Sequence, residues 1–163
     1  MRQRTHVGVV GPGDGATEEQ VQRAREVGRL LALAGAVVVT GGLGGVMAAA
    51  ARGCGDAGGL SLGLLPGADR ADAGAPHTLT VPTGLGELRN GLLVRSSDVV
   101  VAVGPSWGTL SEVALAVRTG VPVVLLGWGT LADHLPQDAG VPAPLRAATP
   151  QDAVQLALGD RDG

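Results

Sequence analysis

The sequence predicts an α/β protein with a three-layer Rossmann-like architecture, in which a doubly wound parallel sheet has helices on both faces. Short apolar runs alternate with amphipathic stretches of helical length, which is typical of right-handed βαβ units. Glycine-rich turns follow three of the runs, after Val10, Thr40 and Val103. Ligands of such sheets bind beyond the carboxyl ends of the strands, where these turns lie. A length of 163 residues favours a single domain over residues 1–163.

The first βα unit is predicted from an apolar run at residues 6–11 and the helix that follows it. Thr17 and Gln20 have the spacing of a capping box, which indicates the start of a helix. That helix has apolar residues on one face and ends at Gly35. Residues 36–40 do not alternate with polar residues, so they are predicted as a strand buried on both faces.

The middle of the chain predicts shorter elements. An alanine-rich helix is expected at residues 46–51, closed by Gly53, and a strand at residues 60–65. After a loop rich in Pro, Gly and Asp, residues 79–81 are predicted to form a short strand. The next helix is expected at residues 85–96, and the apolar residues along one of its sides are Leu85, Leu88 and Leu92.

The last third of the chain predicts two more strands and two more helices. The strands are expected at residues 98–103 and 122–126, with a helix at residues 110–118 between them. A Thr-Pro pair at residues 149–150 supplies a cap and a first-turn proline, which predicts a last helix at residues 151–158.

The composition excludes several classes of function. All twelve basic residues are Arg, so no Lys is present to form a Schiff base, and pyridoxal-phosphate chemistry such as lysine decarboxylation is ruled out. The net charge of −3 and the scarcity of aromatic residues argue against nucleic acid as a partner. Cys54 is the one cysteine, and the three histidines lack the spacing of metal ligands. The apolar run at residues 121–129 is too short to span a membrane, so we expect a cytoplasmic protein.

The strongest functional signal is the passage from the strand at residues 98–103 into the next helix. The first N–H groups of a helix lack intrahelical partners, and the helix dipole favours an anion there. Thr109 and Glu112 have the spacing of a capping box, which explains both side chains without a ligand. A capping box does not explain the bulky Trp107 in the turn. We therefore favour a phosphate site, and its predicted contacts are Ser106, Trp107, Gly108 and Thr109.

Two further turns at the same edge supply candidate ligand contacts. Gly11, Gly13 and Ala16 fit a dinucleotide pattern, but the second strand ends in Thr40 rather than in the acidic residue expected for NAD. A tight turn or a contact to a mononucleotide is the better interpretation. The second turn has more glycine than a plain turn requires, which favours backbone lying close to a ligand. Its candidate contacts are Gly41, Gly42, Gly44, Gly45 and Met47.

Three segments together resemble the LONELY GUY superfamily of Rossmann-like proteins: residues 40–47, residues 87–90 and residues 108–112. That superfamily includes cytokinin-activating phosphoribohydrolases, molybdenum-cofactor carrier proteins and uncharacterised bacterial proteins, some of them mislabelled lysine decarboxylases. The chain is most similar to the uncharacterised and carrier-type branch. The resemblance also implies a homo-oligomer, a dimer or tetramer formed through apolar helix faces.

In the hydrolase branch an Arg and a Glu are needed to cleave the N-glycosidic bond of a nucleoside 5′-monophosphate, and by motif they correspond to Arg89 and Glu112. The carboxylate would stabilise an oxocarbenium-like transition state, while the Arg would hold the phosphate. Asn90, a further predicted binding residue, stands where that branch has Lys. Pro105 lacks an N–H where that branch has a donor.

These observations leave three hypotheses of function. The first is binding of a nucleoside monophosphate, similar to AMP, or another phosphorylated small molecule. The second is a phosphoribohydrolase with Arg89 and Glu112 as its catalytic residues. The third follows from the resemblance alone and is carriage of a pterin cofactor as cargo. None of the three requires a resident cofactor or a protein-bound metal.

Overall fold

The computed structural model describes residues 3–159, and its strands form one seven-stranded parallel sheet. The strand order is β4-β3-β2-β1-β5-β6-β7, so the direction of winding reverses between β1 and β5. This doubly wound arrangement confirms the predicted fold class. The strands are β1 His6–Val10, β2 Val37–Thr40, β3 Leu60–Leu65, β4 Leu79–Pro82, β5 Val99–Val103, β6 Val123–Leu126 and β7 Leu145–Ala147.

Helices cover both faces of the sheet. One layer packs α1, α2 and α5 against the sheet, and the opposite layer packs α3 and α4. The helices are α1 Glu18–Leu33, α2 Gly45–Asp56, α3 Arg89–Arg95, α4 Trp107–Thr119 and α5 Pro150–Leu158. Short 3-10 helices lie at Arg70–Asp72, Gly86–Leu88 and Gly129–His134. Within the described part of the chain, no helix is long and apolar enough to cross a membrane.

The central strand β5 shows how the core is built from small aliphatic residues. Val99, Val101 and Val103 pack into the layer of α1, α2 and α5, while Val100 and Ala102 pack into the other layer. The alternation follows from the period of two along a strand. Because both faces are covered, the strand is apolar throughout.

Two glycines bring α1 and α2 into backbone contact. A Cβ at Gly28 would lie 2.1 Å from the carbonyl oxygen of Ala50, and one at Gly53 would lie 1.9 Å from that of Arg25. The expectation that Gly53 closes the alanine-rich helix is therefore wrong. The glycine lies inside α2, which continues to Asp56, because the neighbouring helix leaves no room for a side chain there.

The predicted caps of the first and last helices are present. Thr17 caps α1 and forms a capping box with Gln20, and Thr149 caps α5 with Pro150 in its first turn. The sequence did not predict β7, which has three residues and pairs with β6 at the edge of the sheet. A strand this short has no periodicity that a pattern could detect.

The expectation of one helix over residues 85–96 requires correction. Gly86–Leu88 form a 3-10 turn and α3 begins at Arg89. Arg89 and Asn90 are buried, whereas the apolar side of this segment faces solvent. The exposed fractions are 48% for Leu85, 80% for Leu88 and 41% for Leu92.

Candidate ligand-binding site

The helix α4 begins at Trp107, and Ser106 is its N-cap. The Ser106 hydroxyl oxygen accepts the backbone N–H of Thr109 at 3.1 Å and lies 2.8 Å from the Thr109 hydroxyl. The backbone N–H of Leu110 donates to the Ser106 carbonyl at 2.8 Å. The helix therefore starts three residues earlier than predicted, and the expected capping box of Thr109 and Glu112 is wrong.

Two backbone amides at this helix start have no partner. Trp107 and Gly108 are exposed, and neither of their N–H groups has an acceptor among residues 3–159. Thr109 lies beneath them and is 1% exposed. Two free amides at the positive end of a helix dipole are chemically suited to bind an anion.

Glu112 lies one helical turn beyond Thr109 and is a buried carboxyl with no hydrogen bond. It is 6% exposed, and its Oε1 lies 4.0 Å from Nη1 of Arg89. Burial raises the pKa of Glu112 to about 7, and the charge of Arg89 only partly opposes that rise. Among the described residues, every fully enclosed side-chain nitrogen or oxygen has a hydrogen-bond partner, so the unpaired oxygens of Glu112 are not sealed in and remain accessible to a donor.

Arg89 ties the ends of two strands to α3. Its Nε donates to the Leu64 carbonyl at 2.9 Å, and its Nη2 donates to the Gly41 carbonyl at 3.2 Å. Burial lowers the pKa of Arg89, with Glu112 acting in the opposite direction. The side chain thus has a structural function at the ends of β2 and β3, and it lies on the buried side of α3 together with Leu93 and Val94.

Asn90 connects Arg89 to the start of α4. Its Oδ1 accepts a hydrogen bond from Arg89 Nη1, and its Nδ2 donates to the Ser111 hydroxyl at 3.1 Å. The Ser111 hydroxyl in turn donates to the Gly108 carbonyl at 2.7 Å. A Lys at position 90 has no acceptor atom, so it could not accept the hydrogen bond that Arg89 donates to Asn90.

The glycines of the second turn fit against the protein itself. A Cβ at Gly41 would lie 2.6 Å from Nη2 of Arg89 and 2.8 Å from the sulfur of Met47. Gly42 has a φ of +79° and faces Leu65. Packing against the protein's own side chains is enough to require glycine at positions 41 and 42. Close contact with a ligand is therefore not needed to explain these two glycines.

The first and second turns pack directly on one another. Gly45 has a φ of +59°, and a Cβ there would lie 2.1 Å from the Gly13 carbonyl oxygen, while Gly44 is the N-cap of α2. The backbone N–H of Val46 donates to the Pro12 carbonyl at 3.0 Å, so this amide at the start of α2 is already bonded. The first turn also lies against the third, because a Cβ at Gly11 would meet the Val103 carbonyl oxygen at 2.5 Å. The structure thus brings all three predicted turns together at one edge.

His77, which no sequence motif marks, contacts the second turn. The Thr40 hydroxyl lies 2.7 Å from His77 Nε2 and accepts the N–H of Gly42 at 3.0 Å, while His77 Nδ1 lies 2.9 Å from the Ala75 carbonyl. Burial lowers the pKa of His77. The backbone N–H of Gly74 also donates to the Gly42 carbonyl at 2.9 Å. The loop at residues 66–78 therefore holds the turn, and no local pattern reveals a contact across 37 residues.

The side chains that commonly bind metals are dispersed. Within residues 3–159, no group of three or more His, Cys, Asp or Glu side chains is close enough to hold a metal ion. At the start of α4 the polar groups are backbone amides, the hydroxyls of Ser106, Thr109 and Ser111, the Asn90 amide and the pair of Arg89 and Glu112.

The reversal of winding between β1 and β5, with three turns meeting beside it, is the architecture of Rossmann-like α/β proteins. The chain belongs to the SLOG cluster4 family, whose model matches residues 4–154. This confirms the resemblance to LONELY GUY-like proteins inferred from the sequence motifs.

Solved structures and a sequence relative support the same assignment. The molybdenum cofactor binding protein from the phototrophic bacterium Rippkaea orientalis is 38% identical, with 96% of both chains covered and a TM-score of 0.89. The molybdenum cofactor carrier protein from Chlamydomonas reinhardtii is 37% identical over 96% of this chain and 99% of that one, with a TM-score of 0.83. An uncharacterised protein of Archaeoglobus fulgidus is 40% identical over 125 residues, which cover 74% of this chain and 78% of the relative.

Proposed function

We propose that this protein binds a phosphorylated small molecule at the carboxyl edge of its sheet, and that this ligand is the phosphorylated pterin of the molybdenum cofactor. The observation on which the proposal rests is the start of α4, where two exposed amides without acceptors lie one turn before a buried carboxyl without a hydrogen bond. The protein would hold the pterin as cargo and would not transform it.

The chemistry of a phosphorylated pterin fits both parts of the site. Its phosphate is an anion of the kind that helix N-termini bind through the backbone. Its ring edge has N–H donors, and the carboxyl of Glu112 is a largely buried acceptor whose oxygens are not sealed in and have no hydrogen-bond partner in the protein. The two solved structures named as a molybdenum cofactor binding protein and a carrier are 38% and 37% identical to this chain, which favours this ligand over a nucleoside monophosphate such as AMP.

A proline at position 107 tests the role of the backbone amide. Pro is well tolerated at the first position of a helix but has no N–H to donate. We expect Trp107→Pro to weaken binding of the phosphorylated pterin about tenfold or more, because a hydrogen bond to a charged group is lost. Trp107→Ala is the matched control, since it removes the same side chain and keeps the amide.

The cargo itself is identified by purifying the protein from a host that makes the cofactor. Pterin fluorescence after oxidation and molybdenum by mass spectrometry are measured on the wild type and on Trp107→Pro. Pterin that copurifies with the wild type at a higher ratio than with the variant supports the proposal. If neither protein retains pterin, and AMP binds to the wild type in calorimetry, the ligand is a nucleoside monophosphate instead.

Hydrolysis of nucleoside 5′-monophosphates is a second candidate function. The 4.0 Å separation of Arg89 and Glu112 and the pKa of about 7 for Glu112 favour it, because a carboxyl with that pKa can exchange protons at neutral pH. Against it, the hydrogen bonds of Arg89 to Leu64, Gly41 and Asn90 occupy three of its five N–H groups. Incubation with AMP and modified-adenine ribotides, followed by an assay of released base, decides the matter. Release no greater than that of Glu112→Ala excludes the hydrolase.

The exposed leucines offer the surface for the expected homo-oligomer. Leu85, Leu88 and Leu92 form one apolar side beside the buried Arg89, and Leu115 of α4 is 37% exposed. We propose that a second copy covers this side, giving a dimer or tetramer. A single domain over residues 1–163, a cytoplasmic location and the lack of a nucleic-acid partner also remain proposals from the sequence.

A further inference from the structure

A separate cavity lies beyond the carboxyl ends of β6 and β7. It has a volume of about 270 Å³, and its walls include Arg23, Arg146 and Trp128, with Leu125 and several glycines and alanines forming the remainder. The backbone N–H of Gly104 donates to the Leu126 carbonyl at 2.9 Å, so this cavity is one strand away from the turn that leads into α4. The cavity and the start of α4 are neighbours at the same edge of the sheet, but Trp107, Gly108 and Glu112 do not line the cavity.

Arg23 enters the cavity from α1. Its Nη2 lies 2.5 Å from Glu19, one helical turn earlier, and its Nη1 lies where a side chain of residue 127 would otherwise be. A Cβ at Gly127 would be only 2.5 Å from Nη1, and Gly127 has a φ of +77°. The glycine therefore makes room for a guanidinium at the end of β6.

Arg146 enters the same cavity from β7. Its Nη1 donates to Asp133 at 2.6 Å, and both of these side chains are about half exposed. The two carboxylates that pair with the arginines are exposed, at 70% for Glu19 and 55% for Asp133. Exposed ion pairs contribute between about 0 and 1 kcal/mol, so such pairs yield readily to a stronger partner.

The charged side chains that line the cavity are both arginines. Glu19 and Asp133 pair with them without being part of the lining, and the wall between them is formed by the ring of Trp128 and by residues such as Ala132 and Ala147. The indole N–H of Trp128 donates to the Ala102 carbonyl at 2.9 Å, which fixes the ring as part of the wall. Each guanidinium has five N–H donors in a planar fork, and most of them remain unused.

We propose that this cavity is a second anion site, in which Arg23 and Arg146 together bind the phosphate group of a small metabolite. Two guanidinium forks that face one cavity match the several oxygens of a phosphate group, with which Arg forms short, charge-assisted hydrogen bonds. A carboxylate ligand offers fewer oxygens to the same donors. The site is independent of the pterin proposal, because it uses different residues and a different strand end.

The two tryptophans allow each site to be observed separately. Trp107 is at the start of α4 and Trp128 is in the wall of this cavity, and the sequence has no other aromatic residue that gives an indole signal. In protein labelled with ¹⁵N, the two indole N–H signals are followed while inorganic phosphate, or glycerol phosphate in a second arm, replaces chloride at constant ionic strength. The comparison of the two arms shows whether the site takes free phosphate or a phosphate ester.

We expect a saturable shift of the Trp128 signal, with a dissociation constant at least about tenfold larger in Arg146→Ala and in Arg23→Ala. Arg25→Ala is the matched control, since Arg25 is in α1 like Arg23, pairs with Asp56 of α2 at 2.7 Å and does not line the cavity. The inference is overturned if neither phosphate shifts the Trp128 signal beyond the effect of chloride, or if the variant lacking both cavity arginines responds like the wild type. A response of Trp107 without one of Trp128 would leave the proposed function standing and refute only this second site.

Discussion

Arg89 and Glu112 are 4.0 Å apart in the interior, yet the hydrogen bonds of the guanidinium go to backbone carbonyls and to Asn90 rather than to the carboxylate. This leaves Glu112 close to a cation but without a donor. The pKa of Glu112 is raised to about 7, because desolvation outweighs the attraction of Arg89. Both the stability of the protein and the candidate site depend on this imbalance.

The first prediction concerns pH and Glu112. Its pKa is about 7 in the folded protein and 4.5 ordinarily, so the folded state holds a proton that the unfolded state releases between these values. The resulting stabilisation is complete below about pH 4.5 and is lost as the pH rises through 7. Relative to Glu112→Gln, which cannot titrate, the wild type should lose on the order of 3 kcal/mol of unfolding free energy between pH 4.5 and 8. Urea unfolding at several pH values measures this difference, and parallel pH profiles for the two proteins would contradict it.

The second prediction concerns Arg89. Arg89→Ala removes the donors to the Leu64 and Gly41 carbonyls and leaves Glu112 without its nearby cation. Breaking a buried pair by removing one partner costs about 3–5 kcal/mol, and we expect a loss of this size in the free energy of unfolding near pH 8. The loss should be smaller at pH 5, where Glu112 is protonated. Arg95→Ala, at an exposed position of the same helix, is the control and should change stability by less than about 0.5 kcal/mol.

The fold was predictable because its signals are local. Apolar runs without polar alternation mark buried strands, and the caps at Thr17 and Thr149 mark helix starts within four residues of sequence. The start of α4 was predicted three residues too late, because Thr109, like Ser106, is a cap-forming residue. In the folded chain the Thr109 N–H donates to the Ser106 hydroxyl, which makes Ser106 the cap.

The orientation of α3 could not be predicted from its own residues. An apolar stripe normally faces the core, yet here the side with Leu88 is exposed and Arg89 is inside. The buried side of α3 instead carries Leu93 and Val94, and beside them Arg89 bonds to carbonyls 25 and 48 residues away in the sequence. The glycines of the second turn present the same difficulty, because their close neighbours are residues such as Leu65 and Gly13 from other segments.

The third prediction concerns the exposed leucines beside Arg89. If a second copy covers this side, Leu88→Glu places a charge in the interface and should convert the oligomer to a monomer in size-exclusion chromatography with light scattering. Leu33 is the matched control, since it is 63% exposed at the end of α1, on the other face of the sheet. Leu33→Glu should leave the measured mass unchanged. A wild type that is already monomeric at micromolar concentration would refute the proposed interface.

The last prediction concerns His77, whose pH dependence has the opposite sign to that of Glu112. Burial lowers the pKa of His77 below its ordinary value of 6.5, so the unfolded state takes up a proton more readily than the folded state. Stability that depends on neutral His77 is therefore present above about pH 6.5 and is lost as the pH falls below it.

The neutral ring lets Nε2 accept from the Thr40 hydroxyl while Nδ1 donates to the Ala75 carbonyl, and a second ring proton removes that acceptor. An NMR titration of the His77 ring should give a midpoint below 6.5, and the stability difference between the wild type and His77→Ala should shrink from pH 8 to pH 5. A midpoint at or above 6.5, or a difference that grows on acidification, would show that the ring is not held neutral against the glycine turn.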